Sequence, residues 1–292
     1  MKPAPFEYFE PGSVEEAVGL LAEHGDGAKL LAGGQSLVPL LAFRLVRPAC
    51  LVDLNRIDGL AAIEARDGGV AIGAMARQRA LERSELVRAR APLLHEAARL
   101  IGHPQIRNRG TVGGSLAHAD PAAELPAVVT ALDATLVAQG PAGRRELAAR
   151  DFFRSYLTTA LAPAEVLVEV RLPAGPPRTG GACLEVSRRP GDFALIGLVA
   201  VVTLDGADVC QRARLVFFGA GPVPKVADGA ERELVGQPIG EGTLARAAAA
   251  AAEELSPDSD IHATADYRRR VGGVLVRRAV SLAAARAREG AT

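Results

Sequence analysis

Ala32-Gly33-Gly34-Gln35-Ser36, with its counterpart Thr111-Val112-Gly113-Gly114-Ser115, is the stretch that decides how this chain is read. Each holds a Gly-Gly pair followed closely by serine. The first is entered from an apolar run, Lys29-Leu30-Leu31, that reads as a short buried strand. It leaves into residues 37–45, which read as a helix with Pro39 in the first turn, where a missing N–H costs little. Strand, glycine turn and helix is a geometry that presents backbone N–H groups to an anion. Glycine lets the backbone approach a phosphate closely and reaches the positive φ values that an anion nest requires. Ser36 and Ser115 can add hydroxyl donors. Two such turns fit a ligand with two phosphates; two ordinary tight turns are the other reading that the pattern allows.

The flanking text narrows the choice. LLAGGQSLVPLLAFRL (30–45) and IGHPQIRNRGTVGGSLAHADPAAELPA (101–127) closely resemble the FAD-binding medium subunit of the molybdenum hydroxylases, the carbon monoxide dehydrogenase and xanthine dehydrogenase family. The resemblance covers nearly the whole chain. It implies an α+β fold: a two-part FAD-binding domain, vanillyl-alcohol-oxidase/PCMH-like, then a smaller α+β C-terminal domain. It also implies that both turns wrap the FAD pyrophosphate, through Ala32, Gly33, Gly34, Gln35, Ser36 and Leu37 on one side and Thr111, Val112, Gly113, Gly114 and Ser115 on the other.

Composition agrees with a globular protein. The 292 residues are enough for two domains with a real core. Net charge is zero with both signs interspersed, which argues against a dedicated nucleic-acid or anionic-membrane surface. The strongly apolar run 194–204 is too short to span a bilayer. The N-terminus has no apolar signal core. Cys50, Cys183 and Cys210 are scattered and form no zinc or iron–sulfur spacing, so no metal site is expected and a reducing, cytoplasmic setting is.

Outward from the first turn, residues 3–10 read as an extended lead-in. Ser13 and Glu16 make a capping box for a helix carrying Val14, Ala17, Val18 and Leu21 on one face. Residues 49–57 read as a second buried strand, closing a first block at about residue 56. A hairpin follows over 60–72, turning at Asp67-Gly68-Gly69. Helices are expected at 81–90, 93–101, 122–132 and 151–161, with strands at 135–138 and 166–172. Residues 173–181, PAGPPRTGG, are the clearest linker. Beyond it come three long strands (182–187, 194–204, 213–219) suited to an antiparallel sheet, then helices at 244–255 and 265–286. The expected division is 1–176 for the FAD-binding domain, in parts of about 1–56 and 57–176, and 180–292 for the C-terminal domain.

Asp120 and Glu124 follow the second turn, and a carboxylate beside a dinucleotide commonly accepts from ribose hydroxyls. The resemblance places an acid at Glu124 on the adenosine ribose, usually a shorter aspartate. Asp120 can equally cap a helix starting at Pro121. Ile101 and Phe193 are candidates to cover the flavin or adenine ring. The resemblance supports an aromatic residue at Phe193, and a core phenylalanine is the alternative. Arg188 and Arg189 read as solvated arginines at a strand end, and His103 and His118 as polar loop residues. No catalytic acid, base or nucleophile is expected.

By resemblance, FAD in this chain collects electrons from two [2Fe–2S] clusters of a small partner, after a large molybdopterin partner has oxidised an organic substrate. The flavin then passes them to an external acceptor. The assembly implied is large, medium and small subunits, doubled. A self-contained flavin oxidase of the same fold and a non-enzymatic phosphate-binding or assembly module remain as alternatives.

Overall fold

The computed structural model describes residues 2–290. The chain opens with β1 (Glu7–Phe9), α1 (Val14–His24), β2 (Ala28–Leu31), α2 (Leu37–Ala42) and β3 (Cys50–Asp53). The three strands are parallel in the order β1-β3-β2, so the glycine turn after β2 and the residues after β1 and β3 share one end of the sheet. Open parallel sheets bind ligands in the crevice beyond their carboxyl ends. The lead-in thus contains an edge strand that its short, polar text concealed. Helix α2 stops at Ala42 instead of reaching residue 45, with Phe43 as C-cap and Arg44 at φ +58°.

The next part is built on an antiparallel sheet, β4-β5-β10-β6-β7, from β4 (Ile63–Arg66), β5 (Gly69–Gly73), β6 (Thr135–Gly140), β7 (Gly143–Ala148) and β10 (Val166–Leu172). Asp67 at φ +49° and Gly68 at φ +79° make the hairpin turn whose twist matches its strands. Between β5 and β6 run α3 (Gln78–Arg83), α4 (Glu85–Arg90), α5 (Pro92–Ala98), α6 (Pro104–Arg109), α7 (Val112–His118) and α8 (Glu124–Ala131). Ser84 breaks the helix expected at 81–90 by capping α4, its side chain accepting from the Val87 amide. The helix expected over 151–161 is instead α9 (Ala149–Phe152) and a small hairpin of β8 (Phe153–Ser155) and β9 (Thr158–Thr159). Its text is rich in aromatic and β-branched residues, which favour strands. Strand β7 is exposed along its polar length and lacks an apolar alternation to announce it.

The C-terminal part holds β11 (Thr179–Ser187), β12 (Ala194–Leu204), β13 (Cys210–Phe218), β14 (Lys225–Val226), α10 (Asp228–Leu234), α11 (Glu241–Glu254) and α12 (Ala265–Glu289). Its antiparallel sheet has four strands, not three: two-residue β14 pairs with β13 through Val216–Val226 and Phe217–Lys225. Strand β12 is apolar throughout because both faces are covered. Val199 and Val201 enter a core shared with α5, α7 and α8, while Leu198, Ala200 and Val202 enter the core beneath α11 and α12. β13 does the same, sending Val216 and Phe218 one way and Leu215 and Phe217 the other. A two-residue period with apolar groups at both phases is what a doubly covered strand requires.

Two glycines make close contacts possible, one between layers and one between neighbouring strands. A Cβ on Gly180 would lie 2.0 Å from the Ala283 carbonyl oxygen, so β11 lies directly on the backbone of α12. A Cβ on Gly197 would lie 2.0 Å from the Phe218 ring. Glu96 of α5 joins the parts with polar bonds: Oε1 accepts from the Cys183 amide at 3.1 Å, and Oε2 pairs with Arg286 of α12 at 2.6 Å.

Candidate functional site

The two glycine turns, far apart in sequence, touch. A Cβ on Gly33 would lie 2.2 Å from the Arg109 carbonyl oxygen and 2.8 Å from Gly110 Cα. A Cβ on Gly114 would lie 3.3 Å from the Ala32 Cβ, and one on Gly113 would strike Ala74 at 2.4 Å. Glycine is required at Gly33 and Gly113 by backbone approach. Gly34 is required by conformation, with φ +71°. Gly114 lies in the first turn of α7 with ordinary φ, so its smallness, not positive φ, is what the contact uses.

The turns differ in what they leave free. In the first, the Gln35 side chain donates to the Gly33 carbonyl at 3.0 Å and closes the turn. Among the described residues the amides of Gly34, Gln35, Ser36 and Leu37 have no intramolecular acceptor. In the second, the chain takes the amides itself: Val112 donates to the Ala76 carbonyl at 2.9 Å and Gly113 to the Ala74 carbonyl at 2.7 Å. Ser115 donates to the Thr111 carbonyl at 3.1 Å, and Gly114 to the Thr111 hydroxyl at 3.1 Å. The expectation that both turns offer free amides therefore holds for the first, while in the second only the Thr111 amide is left without an intramolecular acceptor among the described residues. Hydroxyls, from Thr111 and Ser115, are what the second can offer.

A cleft of about 450 Å³ opens on the first turn. Its walls are Leu31, Ala32, Gly33, Gly34, Gln35, Val38, Pro39 and, across from them, Tyr8, Asp53, Asn55, Ile106 and Arg109. Arg109 places a cation on the wall, and Gly34 and Gln35, whose amides are free, line the same space. An anionic diphosphate with an extended organic body fits this donor set: a cradle that a Cβ would fill, amide donors and a positive side chain.

The remaining predicted residues form a second cluster. Ile101 is buried in the core. Buried Arg107 fixes the loop after it, donating to the carbonyls of Ile101 at 2.8 Å and Gly102 at 3.0 Å while pairing with Glu82 at 3.0 Å. The loop between β11 and β12 crosses here, since a Cβ on Gly191 would lie 2.4 Å from His103 Cε1. Phe193 stands on that loop, 67% exposed, so it is not a core phenylalanine. Its neighbour Arg188 is not simply solvated: it shares a hydrogen bond of 3.1 Å with His262. Asp120 does not cap a helix. Its Oδ1 accepts from the Ala122 amide at 2.9 Å, and α8 begins only at Glu124.

Glu124 is buried, and burial pushes its carboxyl up to about 8, with Glu185 and Asp120 adding in the same direction. Burial likewise raises Glu185 to about 7, and its Oε2 has no partner. At neutral pH Glu124 is therefore mostly protonated, and Glu185 is near its midpoint. The three cysteines are buried on β3, β11 and β13. No helix among the described residues is long and apolar enough to cross a membrane.

Sequence reasoning missed Tyr8, Val38, Asp53, Asn55, Ile106 and Arg109 in the cleft. Asp53-Leu54-Asn55 at the end of an apolar strand was the available signal, because polar residues at strand carboxyl ends line such crevices.

Comparison with known proteins agrees with this architecture. Residues 4–175 match the family model "FAD binding domain in molybdopterin dehydrogenase", and 182–283 match "CO dehydrogenase flavoprotein C-terminal domain". The chain is 46% identical to the 6-hydroxypseudooxynicotine dehydrogenase complex subunit alpha of Paenarthrobacter nicotinovorans, over 99% of this chain and 97% of that one. It is 41% identical to the carbon monoxide dehydrogenase medium chain of Hydrogenophaga pseudoflava, over 98% and 99%. A solved structure of carbon monoxide dehydrogenase from Hydrogenophaga pseudoflava superposes with a TM-score of 0.95 at 41% identity, over 98% of this chain and 99% of that one. Quinoline 2-oxidoreductase from Pseudomonas putida 86 superposes at 0.93 with 39% identity, over 98% and 99%. With both parts of the fold matched in order and almost end to end, this chain belongs to the FAD-binding medium subunits of the molybdenum hydroxylases, of the carbon monoxide dehydrogenase flavoprotein type.

Proposed function

We propose that this chain holds FAD non-covalently and is the electron outlet of a molybdenum hydroxylase complex. The observation that carries the proposal is the meeting of the two glycine turns, Gly33 on Arg109–Gly110 and Gly114 on Ala32, beside a cleft with free amides. FAD supplies the redox chemistry when bound. The residues of this chain bind and orient it. Amides of Gly34, Gln35, Ser36 and Leu37 face one part of the diphosphate, and the hydroxyls of Thr111 and Ser115 the other. Ala32, Val112 and Gly113 shape the backbone between them. Ile101 and exposed Phe193 cover a ring, and Asp120 and Glu124 approach the ribose end.

In this reading a small partner with [2Fe–2S] clusters delivers electrons, a large molybdopterin partner oxidises the substrate, and an external acceptor takes electrons from the flavin. The subunits form a doubled large–medium–small assembly in the cytoplasm. The cysteines, one each on β3, β11 and β13, support the division of labour, since an iron–sulfur cluster is held by several thiolates gathered around it. The chain divides into residues 1–176, in parts of about 1–56 and 57–176, and 180–292.

Flavin retention tests the proposal. Gly34→Val puts a β-branched side chain at positive φ, and Gly114→Val fills the contact with Ala32. Both variants should purify without the flavin absorption of the parent; full flavin occupancy in both would sink the assignment.

A further inference from the structure

Behind the first turn lies a polar bracket that the reading above does not use. The Tyr8 hydroxyl donates to Asp53 Oδ2, and Asp53 Oδ1 accepts from the Asn55 amide at 2.8 Å and from Asn55 Nδ2. Asn55 Nδ2 also donates to the Ala32 carbonyl at 3.0 Å, the first residue of the first turn. Arg77, between β5 and α3, donates from Nη2 to Asn55 Oδ1 at 2.6 Å and from Nη1 to the Arg109 carbonyl at 2.5 Å. That carbonyl is the one against which Gly33 packs. One guanidinium therefore reaches both turns, the first through Asn55 and the second at its entry.

The electrostatics are unusual for a structural arginine. Arg77 bonds to no carboxylate among the described residues; both its bonds go to neutral oxygens. Burial works against its charge, the neighbouring Arg109 adds to this, and Asp53 offsets only part. Arg77 is half-buried, and a partly desolvated cation without an ion-pair partner costs stability. An anion arriving in the adjacent cleft would offset that cost.

We propose that Arg77, acting with Asn55, is a positioning residue that holds the two glycine turns at the separation a diphosphate bridges. The proposal rests on the FAD reading. A planar guanidinium with several fixed donors can hold two carbonyls at once, whereas a lysine ammonium has no such fork. The bracket predicts a ligand-specific penalty: ligands that span both turns suffer when it is broken, and ligands that occupy one turn do not.

The full-length chain, stripped of flavin, should be titrated with FAD, ADP and AMP, alongside Arg77→Met, Arg77→Lys and Asn55→Ala. Arg77→Met and Asn55→Ala should each weaken FAD and ADP by about tenfold or more, and AMP by less than about twofold. Arg77→Lys should recover little. If Arg77→Met fails to fold, Asn55→Ala and Arg77→Lys carry the comparison. FAD and ADP affinities within about twofold of the parent would overturn the bracket while leaving the FAD reading standing. Equal losses for ADP and AMP would reduce it to general structural support and overturn it, as would full rescue by lysine with a silent Asn55→Ala. A parent chain that binds neither FAD nor ADP would remove both readings together.

Discussion

At Gly33 a single hydrogen in place of a methyl group decides whether the two turns can meet. An alanine Cβ would sit 2.2 Å from the Arg109 oxygen, and the backbone on each side is held by another hydrogen bond, from Gln35 to the Gly33 carbonyl and from Arg77 to the Arg109 carbonyl. Gly33→Ala should therefore lose flavin nearly as completely as Gly34→Val, although alanine is small, and absorbance of the purified variant reads this directly. Retained flavin in Gly33→Ala would show that the turns can separate without cost. Glu124 poses a different question at the same scale. Its carboxyl in the folded chain is raised to about 8 from an ordinary 4.5. The folded state thus holds a proton that the unfolded chain has released, and the stability this group contributes is lost as pH rises from about 4.5 to about 8. Glu124→Gln, which keeps the shape without the charge, should raise the melting temperature at pH 8 by about 2–4 °C and leave it unchanged at pH 5. Flavin content of the same variant tests the ribose contact, since an amide cannot ionise to the acceptor-only carboxylate.

At the scale of elements, β11 lies against the backbone of α12 because Gly180 offers no side chain between them. Gly180→Val would wedge them apart, and overpacking of this kind typically costs about 1–3 kcal/mol. Thermal melting should show a drop of at least a few degrees, with the FAD affinity of the folded fraction little changed. The Glu96–Arg286 pair is a milder case. Both side chains are about a third exposed, so the charge attraction alone contributes little, but Glu96 also accepts from the buried Cys183 amide. Glu96→Ala should accelerate proteolytic cleavage within residues 173–178, because it loosens α5 from β11, which begins at Thr179. An unchanged cleavage rate would mean that the apolar core shared by α5, α8 and the sheet is enough to hold the parts together.

Taken whole, the molecule offers a cradle, a cleft and buried acids. The full chain purified alone should bind FAD and show at most slow dye reduction. Adding the large and small partners should restore substrate-dependent bleaching of its flavin. Oxidation of an organic substrate by the isolated chain at about 1 per second or faster, an ordinary enzymatic rate, would favour the self-contained oxidase instead. Native mass spectrometry of the assembled complex should give two copies of each of three subunits.

The sequence by itself determined the elements whose cause is local. Ser13 and Glu16 announce α1, and their bonds are present: the Glu16 amide donates to Ser13, and the Gly12 amide to Glu16. Asp67-Gly68 announces the hairpin, and the apolar continuity of β12 announces a strand buried on both faces. The glycine turns were legible for the same reason, since glycine pairs mark backbone that other residues cannot adopt or approach. Tertiary structure alone decided what depends on atoms brought from elsewhere. Strands β1, β7 and β14 are short or polar, and only partner strands complete their hydrogen bonds. Which amides stay free was equally hidden: two near-identical turns differ because Ala74 and Ala76 lie under the second and satisfy it. Asp53 and Asn55 carried a signal at the end of β3, but their union with Tyr8 and Arg77 in one bracket did not. Each is an ordinary polar residue in sequence, and hydrogen bonding across three separate segments is what makes them one unit.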